Sequence, residues 1–420
     1  MNPWLSFGGA FLGFWLLAAP STLGYKSEHL IHSDLICGLI LLILGLVFRR
    51  CNSVWVSWGF ALVGFWLGFA PLLFWAPDAA CYINDTIVGA LILALFTQMP
   101  AMPNQVPDSG PAIPPGWNYN PSSWPQRLPI AMLAFIGWMA SRYMAAYQLG
   151  YIDTVFEPFF ENPALPFPNE TLDVITSKVS KAFPVPDAGL GAFAYSIEMI
   201  TAFKGGTRRW RTEPWMVILF GLLAVPLSLV SVILIISQPL LVGAWCSLCL
   251  FTAFCMLILI TLSIDEVAAV LQYLKYSKEK PFLKLLLEGG ICDGAKEDTR
   301  TPSLDQPLSS ILDAARWGVT VPWNLALSVL IGMAVMALPG ILNFEGKIAD
   351  ADHLLGALTI VVSMISMAEI IRNVRFLNIF FALGILVTSF IYGDFMLHIV
   401  PAILIGALAM RKGPIRELQI

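Results

Sequence analysis

Charge is what this sequence has least of: charged side chains make up only 12% of the 420 residues, against 57% hydrophobic, and the mean hydropathy is +0.75. No soluble core buries that much apolar surface. Apolar runs of about 20 residues recur from end to end, which excludes a water-soluble enzyme and marks a polytopic membrane protein. Histidine is scarce, with His29, His32, His353 and His398 the only four. No tight ligand spacing joins them to Asp34, Asp85 or Asp352, so no metal is expected. The start, Met1-Asn2-Pro3-Trp4, lacks a basic stretch, and no small-x-small pattern follows the first apolar run. That run is expected to be a retained helix and not a cleaved signal. The net charge of −4 says little by itself, and no nucleic-acid partner is expected.

The hydrophobic pattern predicts twelve helices, approximately 5–22, 33–49, 54–76, 86–103, 128–150, 184–203, 213–237, 241–263, 323–342, 353–371, 376–393 and 396–410. Short loops rich in Lys and Arg stay cytoplasmic. With both termini cytoplasmic, only Lys26, Lys178, Lys181 and Lys347 fall outside and Arg142 stays within a span, a one-sidedness that eleven or thirteen helices would break. The expected fold is therefore all-α. Residues 1–103 carry four spans, 104–127 form a Pro-rich cytoplasmic linker, 128–263 a central four-helix bundle, 264–322 a cytoplasmic polar segment, and 323–420 four more spans. Within the polar segment, Asp265 to Lys284 has the amphipathic spacing of a helix lying along the inner membrane surface, or of a solvated connector.

The chain repeats itself. Gly13-Phe14-Trp15-Leu16 with Pro20 recurs as Gly64-Phe65-Trp66-Leu67 with Pro71, and Asp34-x-x-x-Gly38 recurs as Asp85-x-x-x-Gly89, always at an offset of 51. A two-helix unit has been duplicated, with glycines where helices approach closely. Pro339-Gly340 followed by Asp352-x-x-x-Gly356 has the same order, and His398 to Gly406 closes a fourth, degenerate unit. These units resemble the SPW repeat of small bacterial membrane proteins, although the Ser-Pro-Trp core reads Ala19-Pro20-Ser21 and Ala70-Pro71-Leu72 here. The resemblance implies a bacterial inner membrane and no chemistry.

Seven cysteines are present, and two stand in Trp245-Cys246-Ser247-Leu248-Cys249-Leu250, at the head of the eighth predicted helix and on its outer side. Thiols three positions apart on a helix share a face and can close a disulfide, and the helix N-terminus favours the first thiolate. The alternative is a pair of buried cysteines acting as small hydrophobes. Cys37, Cys51, Cys255 and Cys292 read as structural or incidental, and Cys81 lies outside.

Four spans, a long outer loop between the first two and a C-x-x-C opening the fourth resemble the vitamin K epoxide reductase family of quinone reductases. Val174-Ile175-Thr176-Ser177, then Phe183-Pro184-Val185-Pro186-Asp187 and Tyr195, are similar to that family's loop serine and the start of its second helix. The resemblance implies that Cys249 faces a quinone, that Cys246 exchanges disulfides with a partner, and that Ser177, Asp187 and Tyr195 line the site. The chain also departs from the pattern. The loop from Tyr151 to Phe183 has no cysteine where members usually have two, Thr171 occupies the place of the second, and Ala253 stands where an aromatic residue often binds the quinone. Electrons would then come directly from an extracytoplasmic thioredoxin-like protein, or by way of Cys81. Asp187 is a candidate proton donor or else a carboxylate favoured by the helix dipole, and Arg142 is expected to pair with Glu198. The resulting expectation is a membrane thiol:quinone oxidoreductase. A scaffold subunit that keeps the fold without catalysis is the alternative, and the few ionisable residues in the spans argue against a transporter.

Overall fold

The computed structural model describes residues 3–51, 53–161, 169–343, 345–393 and 395–417; Met1 and Asn2 and residues 162–168 of the long loop lie outside them. The helices are α1 (Pro3–Leu23), α2 (Glu28–Arg50), α3 (Val54–Leu73), α4 (Ala79–Thr97), α5 (Trp124–Gln148), α6 (Glu170–Ile175), α7 (Asp187–Phe203) and α8 (Arg209–Thr212). They continue as α9 (Pro214–Ser237), α10 (Ser247–Tyr276), α11 (Phe282–Glu288), α12 (Leu308–Ala314), α13 (Trp323–Leu342), α14 (Lys347–Ile365), α15 (Leu377–Tyr392) and α16 (Phe395–Met410). Ten helices among the described residues are long and apolar enough to cross a membrane; α7, with 17 residues, and α16, with 16, stand in the other two expected positions. The protein is an all-α polytopic membrane protein. Helices α2 and α4 begin earlier than the apolar pattern suggests because polar residues cap them. The Ser27 hydroxyl accepts from the Leu30 amide, and the Asp78 carboxylate accepts from the Cys81 amide at 2.9 Å, each satisfying an orphan donor of a first turn.

The duplication is written into the packing. Helices α1 and α2 cross at Gly13 and Gly38, where a Cβ on either would sit 2.8 Å from the other's carbonyl oxygen. Gly64 with Gly89 and Gly332 with Gly356 repeat that crossing in α3–α4 and α13–α14, and only glycine permits such backbone approach. The first two units also exchange reciprocal bonds: the Trp15 indole donates to the Asn84 side chain at 2.7 Å and the Trp66 indole to the Ser33 hydroxyl at 2.8 Å. Each donor and each acceptor is 51 residues from its counterpart, the mark of a pseudo-two-fold contact.

Between the repeat pairs, α5, α7, α9 and α10 enclose an apolar core that includes Ala134, Tyr195, Phe220 and Leu259. One end of this bundle carries the C-x-x-C. The opposite end differs from expectation. The segment read as an extended linker is packed, with Trp117 and Tyr119 fully buried; their indole and hydroxyl donate to Gln272 and Asp265, each at 2.7 Å. Those acceptors lie on α10, which runs unbroken to Tyr276, so most of the Asp265–Lys284 stretch expected to lie along the membrane is the last part of a 30-residue helix, and its end enters α11.

A buried ion pair locks that end. Arg209 donates in a fork to Glu266, at 2.7 and 2.5 Å, and the Ser122 hydroxyl shares the carboxylate. Arg127 donates to the carbonyls of Ala202, Lys204, Gly205 and Gly206 at 2.8–3.1 Å, so a cation terminates α7 where the helix leaves acceptors unpaired.

Candidate functional site

The C-x-x-C sits where α9 hands over to α10. Helix α9 loosens into a wide turn over Gln238–Val242, Gly243 takes a left-handed conformation (φ 73°), and the chain runs extended into Cys246, the N-cap of α10. Cys246 and Cys249 form a disulfide with their Cα atoms 5.2 Å apart, and the Cys246 sulfur accepts the Cys249 amide at 3.0 Å.

Three consecutive amides at this helix start are each taken by a different side chain. Glu170 accepts from Trp245 at 2.8 Å, Gln238 from Cys246 at 3.0 Å and Glu157 from Ser247 at 2.9 Å. Glu157 does most. Only 5% exposed, its carboxylate also accepts from the hydroxyls of Ser247 and Thr171 and from the amides of Phe159 and Phe160. Burial alone would raise its pKa, but the hydrogen bonds from Ser247, Thr171 and Phe159 outweigh it and hold the carboxyl below its ordinary value. The long loop is thereby pinned onto the disulfide without a cysteine of its own, and Cys246 is completely buried against Met144, Val155 and Leu172.

Beneath the disulfide lies a cavity of about 120 Å³. Cys249, Ser177, Asp187, Tyr195 and Ala253 all line it, so residues spread over some 75 positions of sequence converge on one space; Cys246 does not reach it. Asp187 opens α7, and its Oδ1 accepts from Gln148 at 2.5 Å, from the Ser180 hydroxyl at 2.8 Å and from the Ala188 amide at 2.9 Å. Ser177 donates nothing into the cavity; its hydroxyl accepts the Ser180 amide at 3.2 Å and shapes the turn that carries Ser180 to Asp187. Tyr195 fills the space left by Gly137 on α5 and donates to the Thr252 carbonyl at 2.7 Å. Ala253 brings no polar group, but Asp187, Gln238 and several hydroxyls, among them those of Ser177, Ser180 and Thr252, give the wall polar groups among its apolar ones. Met144 closes the top, its sulfur 3.7 Å from that of Cys249.

Two expectations are corrected. Arg142 and Glu198 form no ion pair. The Arg142 guanidinium lies over the rings of Trp138 and Tyr82, 5.0 and 5.3 Å from their centroids, drawn to the neighbouring α4 instead of down to α7. Glu198 is 1% exposed, and both its carboxylate oxygens lack a hydrogen-bond partner. Nor is Cys81 presented to the disulfide; it is fully buried in the first repeat pair, its sulfur 3.7 Å from Asp85. Among the described residues no group of three His, Cys, Asp or Glu could hold a metal, and His398 instead pairs with Asp352 at 2.8 Å. The sequence reading missed Glu157, Gln238, Gln148 and Met144. None belongs to a spaced motif, and Glu157 shares its loop with Asp153, Glu161, Glu170 and Asp173, so nothing in the sequence singles it out.

Fold and site together define a membrane-embedded helical bundle with a disulfide at the roof of an internal cavity. Residues 128–264 match the vitamin K epoxide reductase family, and residues 3–97 match the SPW repeat domain. The chain is thus a membrane protein with a central unit similar to the vitamin K epoxide reductase family and an N-terminal region similar to the SPW repeat domain. No curated protein and no solved structure matches it.

Proposed function

We propose that the central bundle is a thiol:quinone oxidoreductase that draws electrons from extracytoplasmic thiols through Cys246 and Cys249. The observation that carries this reading is that Cys249 shares one membrane-embedded cavity with Asp187 and Ser177. The two thiols together lose two electrons and two protons in closing their disulfide, and a quinone gains both to become the quinol. A second dithiol, of thioredoxin-like chemistry, then reopens the disulfide by exchange and leaves oxidised. Asp187 is the group that would hand a proton to the quinone oxygen: it borders the cavity, and three donors fix its Oδ1, which leaves Oδ2 as the oxygen that would carry the proton. The ring is held against Cys249, and an isoprenoid tail leaves between apolar helices.

The charge pattern supports both termini inside and the disulfide outside, and the SPW-repeat likeness supports a bacterial cytoplasmic membrane. In this reading 1–103 and 323–420 are repeat domains that brace the bundle of 128–263, with 104–127 and 264–322 on the cytoplasmic side. Membranes containing wild type, Cys246→Ser or Cys249→Ser are assayed for thiol-dependent quinone reduction. Activity confined to wild type supports the reading, and equal rates in all three end it. The complete burial of Cys246 favours a second reading, a non-catalytic subunit that keeps a structural disulfide; in that case the pair stays inert to reduced thioredoxin-like protein.

A further inference from the structure

The first repeat pair buries two carboxyl groups against each other. Asp34 on α2 and Asp85 on α4 occupy the same position in the two units and are both fully buried. Asp85 is well served: the Tyr25 hydroxyl donates to its Oδ1 at 2.9 Å, the Asn84 amide at 3.2 Å, and the Cys81 thiol lies 3.7 Å from its Oδ2. Asp34 faces Asp85 and Tyr25, yet no donor comes within hydrogen-bonding geometry of either of its oxygens. Among the described residues, no Lys, Arg or His forms an ion pair with either carboxyl group. His29 is stacked on Phe74, and His32 bonds the Glu28 carbonyl. The other titratable groups around the pair are Cys37 on α2, Asp78 and Cys81 at the start of α4, and Tyr151 beyond α5; none is basic.

Two bare carboxylates cannot sit together out of water, so one positive charge must be bound between them. The second repeat pair shows the alternative solution. There Asp352 on α14 meets His398 on α16 at 2.8 Å, with side-chain exposures of 1% and 0%, so the same inter-unit contact between second helices is made with an imidazole in place of the second carboxylate. That imidazole can supply the proton itself. The first pair has no such group.

We propose that Asp34 and Asp85 form a binding site for one small monovalent cation, a proton or Na⁺, held on the Asp34 oxygens. Asp85, stabilised by its donors from Tyr25 and Asn84, keeps the negative charge. The site is separate from the disulfide cavity and does not depend on its chemistry.

Infrared difference spectra of the full-length protein in nanodiscs, wild type against Asp34→Asn, test this at mildly alkaline pH in Na⁺-free buffer. A buried carboxylic-acid band present in wild type and absent from the variant is expected. Its persistence on adding Na⁺ identifies the proton as occupant, and its conversion to a carboxylate band identifies Na⁺. A second variant guards against loss of folding: Asp85→His copies the Asp352–His398 arrangement, and its melting temperature is expected to lose the alkaline or Na⁺ sensitivity of wild type. A wild type that shows no such band and melts with no more pH or Na⁺ sensitivity than Asp34→Asn overturns the proposal.

Discussion

The carboxylate of Glu157 accepts the backbone amide of Ser247 at 2.9 Å, one residue from the disulfide. Through this contact a loop without cysteines is tied to the helix that carries the disulfide, and Glu170 adds a second carboxylate at the same helix start. The arrangement has two electrostatic consequences. Negative charge facing the N-terminus of α10 offsets the helix dipole that would otherwise favour a Cys246 thiolate, and the clasp covers Cys246 so that it must open before a partner's thiol reaches that sulfur.

Replacing Glu157 with Gln removes the charge while keeping the shape. One strong hydrogen-bonded anion is lost, about 1.5–3 kcal/mol of clasp stability. In reduced protein, Cys246 is expected to react faster with a small alkylating reagent than in wild type, read by mass spectrometry. The pH dependence has a fixed sign. The folded carboxyl is held below its ordinary value, so its stabilisation is complete above the unfolded carboxylate pKa of about 4.3 and is lost as pH falls through the lower folded value. Hydrogen exchange of the Trp245–Ser247 amides should stay slow at neutral pH, accelerate only under strong acid in wild type, and be fast throughout in the variant.

Removing one partner of the Arg209–Glu266 fork leaves a charge stranded in a buried site. Glu266→Ala is expected to destabilise the protein by about 3–5 kcal/mol, seen as a lower melting temperature in detergent, and the double replacement with Arg209→Ala should recover part of that loss.

At Gly89 a Cβ would lie 2.7 Å from the Gly64 carbonyl oxygen and 2.8 Å from the Gly68 nitrogen, backbone atoms that have no room to move. Gly89→Ala should therefore cost about 1–3 kcal/mol. Gly340, with nothing within 4 Å of the same added atom, is the control: Gly340→Ala should melt at or slightly above the wild-type temperature.

Gly137 makes room for the Tyr195 ring, whose nearest atom would lie 2.5 Å from an added Cβ. Gly137→Ala displaces that ring toward the cavity. The KM for quinone is expected to rise about tenfold, equivalent to about 1.4 kcal/mol, with the thiol-exchange half-reaction unchanged.

Much of this architecture is legible in the sequence because apolar periodicity reports membrane helices directly, and the offset of 51 reappears as the reciprocal Trp15–Asn84 and Trp66–Ser33 bonds. The cavity residues Cys249, Asp187 and Tyr195 follow from the family resemblance. What the sequence conceals depends on partners distant in the chain. The Pro- and Gly-rich stretch around Trp117 and Tyr119 has the local composition of a linker, and only Gln272 and Asp265, some 150 residues on, make it a packed wall. The Arg142–Glu198 pairing failed because counting residues gives depth in the membrane but not the direction a side chain leaves its helix. Glu157 escaped notice because its five donors come from three separate segments.

The central claim, that Cys246 and Cys249 exchange two electrons with a quinone in the cavity below them, is tested most directly by a single turnover. Fully reduced, purified protein is mixed without oxygen with one equivalent of a soluble menaquinone or ubiquinone analogue, and quinol and residual alkylatable thiol are counted together. The account predicts one quinol formed for each Cys246–Cys249 disulfide closed, and none with Cys249→Ser. Quinone that remains oxidised while both thiols stay open to alkylation would contradict it.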